Sequence, residues 1–232
     1  MKKMNQLQML VCFIFFISVP VFAADNTLAI LDFENNSFFN PEEYQPLAKG
    51  LSEMMITELN QVEALQVVER QKLRSLIDEL KLSQSGILSE ESSVEVGKML
   101  GAQHLVFGSY MVTPDKKIRI DVRIVKVETG LTIKASQVTG KEKELFSLIV
   151  QLSKKILKDL DVRMTKAEED LFDKSESLDM NSAVLFSMAL ELEDRGLLTD
   201  AKICYEKVIE VEPKFRPAII RLEQLSKNMD NQ

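Results

Sequence analysis

Histidine occurs once in this chain, at His104, and cysteine twice, at Cys12 and Cys204. A lone histidine ahead of an apolar run, with no cysteine beside it, leaves a zinc site or a Ser–His pair without partners. His104 is therefore read as a structural or surface residue, and no metal site is expected. Glycine is also scarce, at 8 of 232 residues, and no glycine-rich phosphate loop follows a strand, so no nucleotide cofactor is expected. Nor is there a concentration of Lys and Arg. The formal net charge is −7, which argues against nucleic acid or anionic lipid as the principal partner. Beyond the first 24 residues no stretch approaches the roughly 20 apolar residues that a spanning helix needs.

What the chain does contain begins with a secretory leader. Lys2 and Lys3 form a basic start, Met9 to Val19 an apolar run ended by Pro20, and Val21-Phe22-Ala23 a small-residue cleavage signature. Residues 1–24 are read as a signal peptide cut after Ala23 or Ala24, and the protein as exported. Cys12 lies too early in the apolar run, and follows Val11, to serve as a lipidation site. After cleavage only Cys204 remains, so no internal disulfide can form. Loss of Lys2 and Lys3 takes the formal charge from −7 to −9.

From residue 25 to 160 strand-like and helix-like patterns alternate. Leu28 to Phe33 reads as a strand buried on both faces. Pro41 opens a helix, and Leu47, Leu51, Met54, Met55 and Leu59 recur at three- and four-residue spacing. A short strand at 65–69, a helix from about 71 broken at Gly86, a helix from about 89 to 100 and a strand at 104–112 follow. In 117–127, Ile118, Ile120, Val122 and Ile124 alternate with Arg119, Asp121 and Arg123, the pattern of a strand with one wet face. Glu128-Thr129-Gly130 turns the chain into a partner strand, with Gly130 free to take positive φ. A helix from about 143 to 160 closes the unit. The expectation is an α/β (α+β) mixed-sheet layer domain over 25–160, a charged linker over 161–180, and a small all-α module over 181–228. Met54, Met55, Met99 and Met188 fall at core-like helical positions. Asp32 and Glu34, flanking Phe33 at a strand end, are read as solvated loop carboxylates, and Arg70 as pairing with a nearby carboxylate.

Two families are resembled. In 181–228, Leu185, Met188-Ala189 and Leu192 on one helix, then Ala201, Tyr205, Val208 and Pro213 on the next, resemble one tetratricopeptide (TPR) unit. Leu185 stands where Trp is commonest and Val208 where Ala is commonest. Further upstream, three segments resemble the CsgG family of curli transport: Val67-Val68-Glu69-Arg70 running into a Leu-rich helix, Gly101 to Tyr110 ending in Gly108-Ser109-Tyr110, and Ile120 to Gly130 ending in Thr129-Gly130.

That resemblance implies a periplasmic α/β domain without catalytic machinery. Channel-forming members insert long amphipathic hairpins, whereas here the connection after Val112 is only Thr113 to Lys116. A membrane strand needs about 9–11 residues, so pore formation is not carried over. The expected protein is a non-enzymatic envelope interaction or assembly-accessory factor, periplasmic or peripheral to the outer membrane. It would bind envelope proteins through both parts, with self-association left open. A subunit of a curli-type secretion complex and an envelope hydrolase are the alternatives.

Overall fold

The computed structural model describes residues 26–80, 89–173 and 178–230. The expected signal peptide and the helix break at Gly86 lie outside them. Strand β1 (Thr27–Ile30) is an interior strand of a mixed sheet of order β3-β1-β4-β5-β6. It runs parallel to β3 (Gln66–Val67) on one side and to β4 (His104–Val112) on the other. β4, β5 (Lys117–Lys126) and β6 (Leu131–Lys141) form an antiparallel meander. The short β2 (Glu34–Asn35) pairs with the far half of β4. The first strand therefore stops at Ile30, earlier than expected, and resumes as a separate pairing after Phe33.

The two faces of the sheet are covered differently. Leu28, Ile30, Val106, Ile118, Ile120 and Val122 face helices α2 (Leu47–Leu59) and α5 (Leu145–Asp159), following a short helix α1 (Pro41–Tyr44). The alternate residues Ala29, Leu31 and Leu105 meet α3 (Arg70–Glu79) and α4 (Glu90–Met99) through Leu73, Val94 and Val96. The period of two along each strand produces this division. The continuous apolar run of β1 is explained by burial on both sides.

Helix α2 is enclosed almost all round, with Lys49 its one residue that is not fully buried. One side lies on the sheet and α5. The other is covered by α7 (Met180–Asp194) and α9 (Arg216–Asp230), with α8 (Leu198–Val211) packed outside α7. A Cβ placed on Gly50 would overlap the Ser187 hydroxyl, so the absent side chain lets α2 and α7 approach closely. Phe215, just before α9, stacks edge-on against Phe186 of α7 at 5.2 Å and Phe146 of α5 at 5.4 Å. One apolar cluster thus runs without interruption from the sheet to α9.

The segment expected as a charged linker contains helix α6 (Lys166–Phe172), capped by Thr165 and Glu168 in a capping box. Phe172 at its end is fully buried, and Glu168 also accepts from the Glu63 amide at 2.9 Å. Met54 and Met55 are buried as expected. Met99 and Met188 are not, at 61% and 44% exposure. Met99 leaves the buried face that Ser93, Val94, Val96 and Gly97 define on α4, and Met188 lies on the outward side of α7.

Gly50→Ala tests the α2–α7 crossing by sign. Helix propensity alone would stabilise the variant by about 1 kcal/mol. The overlap with Ser187 predicts instead a loss of about 1–3 kcal/mol in urea denaturation, partly recovered by adding Ser187→Ala.

Candidate functional site

A cavity of about 1100 Å³ opens where β1 ends. This is the topological switch point of the sheet, since the chain leaves β1 for β3 on one side and returns to β4 on the other. Asp32, Phe33 and Glu34 line it from the β1–β2 connection, Lys49 from α2, and Arg70, Leu73, Arg74 and Ile77 from α3. Phe107, Ser109, Asp121, Arg123 and Gln137 form the sheet side. A Cβ on Gly108 would lie 2.5 Å from the Phe33 ring, so the glycine of the Gly-Ser segment makes room for that ring.

The inner end of the cavity is a buried network of paired charges. Arg70 grips Asp194 with both ends of its guanidinium, Nη1 to Oδ2 at 3.0 Å and Nη2 to Oδ1 at 2.9 Å. Its Nε faces Glu53 at 3.3 Å. Lys49 reaches Asp194 at 3.0 Å, and Arg74, one turn beyond Arg70, pairs with the same carboxylate. Behind them Arg221 of α9 pairs with Glu193 and faces Glu53 at 4.0 Å, and the Tyr205 hydroxyl donates to Glu193 at 2.9 Å. Ser52 donates to Asp32 at 3.0 Å. The cations Lys49, Arg70, Arg74 and Arg221 face the anions Asp32, Glu53, Glu193 and Asp194, so the network is balanced in charge.

Neither end of the central pair suits its own helix. Arg70 stands at the N-terminus of α3 and Asp194 at the C-terminus of α7, each opposed by its macrodipole. Each supplies the counter-charge that the other helix end lacks. Burial disfavours the Asp194 anion, but the bonds from Arg70 and Lys49 outweigh it and hold its pKa below the ordinary value. Glu53 goes the other way: desolvation exceeds the pull of Arg221 and Arg70 and raises its pKa. Asp32 is reachable from the cavity yet crowded by protein atoms. This desolvation prevails over Arg70 and Ser52 and raises its pKa as well.

At the sheet side Arg123 pairs with Glu90 at 3.0 Å and lies 4.6 Å above the Phe107 ring. The lining cations are thus engaged by carboxylates, while Asp32, Glu34 and Glu191 also face the space. To an entering group the cavity offers mainly acceptor oxygens and apolar walls. The loop that follows β2 carries Phe38, 93% exposed, and Phe39. Their loop is held by Val112 N donating to Ser37 Oγ at 3.0 Å and by Asn35 Nδ2 donating to Pro41 O at 2.8 Å.

The residues singled out in the helical module separate into two groups. Ala189, Ala201, Tyr205 and Val208 are fully buried, and Leu185 and Leu192 are half-buried. Met188 and Pro213 are exposed. The buried side of α7, with Ala183, Phe186, Ser187 and Leu190, is already occupied within the chain, with Ser187 against Gly50 of α2. His104 begins β4 half-buried, and burial, aided by Lys126, lowers its pKa. Arg70 does pair with carboxylates, but its main partner lies 124 residues away. Lys49, Asp194 and Arg221 escaped sequence reasoning because each looks like an ordinary solvated charge in its helix.

Residues 6–113, somewhat less than half of the chain, match the family described as curli production assembly/transport component CsgG. The match takes in the first two of the three resembling segments and stops before the third. No curated protein matches the chain. Among solved structures, the LpoB C-terminal domain from Escherichia coli is similar at 17% identity and TM-score 0.37, covering 50% of this chain and 82% of that one. The PelC dodecamer from Paraburkholderia phytofirmans is similar at 12% identity and TM-score 0.39, covering 62% and 94%. Among the described residues no helix is long and apolar enough to cross a membrane.

The clamp makes a pH-dependent prediction. Because the folded pKa of Asp194 is depressed, its contribution is fully present above the ordinary aspartate value of 3.8 and is lost as pH falls through the lower folded value. Asp194→Asn should cost about 3–5 kcal/mol at pH 7, since it strands a buried Arg70. It should also remove part of the wild-type loss below pH 3.8, read from urea midpoints across pH.

Proposed function

We propose that this protein is an exported, non-enzymatic assembly or accessory factor of the cell envelope, of the CsgG-like kind. The observation that carries the reading is the family match over residues 6–113. It is supported by the way the lining cations at the switch point are paired off with carboxylates, an arrangement suited to holding elements together. The short connections 113–116 and 127–130 support a role without pore hairpins. The α/β part over 25–160 and the TPR-like helices over 181–228 are proposed as two lobes acting as one body. The loop after β2, with Phe38 and Phe39 exposed and Ser37 tied to Val112, is the proposed contact with envelope proteins. Aromatic side chains, Phe among them, are enriched at protein interfaces. A place beside a transport channel built by other subunits is a second reading, favoured by the family description itself.

Fractionation of cells carrying the full-length chain tests export. A processed form, shortened by about the length of a signal peptide, should appear in the periplasmic or outer-membrane fraction. Full-length, unprocessed protein in the cytosol would contradict the proposal. Phe38→Ser/Phe39→Ser should leave stability within about 0.5 kcal/mol of the parent, as exposed positions do. The same variant should reduce crosslinking to envelope proteins.

A further inference from the structure

Strand β6 is the open edge of the sheet, eleven residues long and free of proline. Its register sets Ser136, Val138 and Gly140 opposite Val122, Ile120 and Ile118. Thr113 N donates to Lys117 O, so Lys117 bonds toward β4 and the alternate residues Ile118, Ile120 and Val122 bond toward β6. It follows that Ala135, Gln137 and Thr139 direct their N–H and C=O groups outward. The Lys155 ammonium agrees with this, donating to the Gln137 carbonyl from outside at 2.8 Å. Among the described residues the outward N–H groups of Ala135, Gln137 and Thr139 meet no acceptor.

The charge around this edge is opposite to that of the whole chain. Lys134 and Lys141 lie on β6, Lys143 in the turn after it, Lys155 on its outer edge and Lys158 one turn further along α5. None of the five forms an ion pair among the described residues. The carboxylates beside them are Glu142, Glu144 and Asp159, with Glu144 accepting from the Lys141 amide at 2.9 Å and Asp159 from the Ser136 hydroxyl at 3.4 Å, so these five lysines outnumber the acids five to three. Lysines along an edge strand discourage pairing with a second copy, because two such rows would repel. The same row attracts a strand of the opposite sign.

We propose that the β6 edge receives an extended acidic segment of another protein as an added strand. Main-chain bonds to Ala135, Gln137 and Thr139 would set its register, and the lysines would select its charge. Lys155 holds the Gln137 carbonyl until the segment replaces it. The proposal does not rest on the family match and concerns the sheet edge, not the switch-point charges.

The test uses the chain without its leader and two fluorescein-labelled synthetic peptides, one alternating Glu and Val and one alternating Lys and Val, followed by anisotropy. The Glu peptide should bind, less tightly as salt is raised, and the Lys peptide should not. Gln137→Pro removes an outward donor and no ladder bond, so it should weaken binding about tenfold or more. Lys134→Glu/Lys158→Glu should do the same without touching the backbone. Absence of binding by the Glu peptide, equal binding of both peptides, or binding unchanged in these variants would overturn the proposal. Should Gln137→Pro fail to give the parent circular dichroism spectrum, the charge-reversal variant decides.

Discussion

Arg70 and Asp194 meet from opposite ends of the chain, on helices that share no contact as sequence neighbours. Each is nearly inaccessible to water, with side chains 3% and 4% exposed. Placing two such charges in the interior costs several kcal/mol per ion before their attraction is counted. The pair persists because the guanidinium is gripped at both ends, because Lys49 and Arg74 share the carboxylate, and because Glu53 and Arg221 extend the balance inward. Replacing Arg70 or Asp194 removes the two-point grip at the centre of the network. The network therefore specifies one docking of α7 and α9 on the α/β layer, where apolar contact alone would tolerate slippage.

This constraint changes what the helical module can be. Its α7 spends one side on α2 and another on α8, so the surface left to a partner is the outward row around Met188. Helices 181–228 complete the cover of α2 on the side that carries Gly50 and Glu53, which meet Ser187 of α7 and Arg221 of α9. The contacts proposed with other molecules lie instead at the periphery: the Phe38 loop after β2 and the lysine-lined edge of β6. Both are held by hydrogen bonds to the rigid sheet, which suits surfaces that present themselves without rearranging.

Much of the fold was legible in the sequence because its signals are local. The alternation of Ile118, Ile120, Val122 and Ile124 gave a half-wet strand, and the apolar run at Leu28 a doubly buried one. Gly and Pro marked the helix junctions. The docking was not legible. Ser52, Glu53 and Glu58 look like the solvent face of α2, yet all are buried because distant helices cover them. Asp194 resembles any acidic residue near a helix end, and only the fold brings Arg70 to it. Met188 misled because helical spacing says which residues share a face but not whether that face is covered.

A double-mutant cycle on Arg70→Met and Asp194→Asn, read by urea denaturation at neutral pH, tests the central claim most directly. The account predicts that the second substitution costs far less once the first is present, with a coupling energy of about 2–3 kcal/mol. Costs that simply add, within about 0.5 kcal/mol, would show that the two residues do not hold the lobes together.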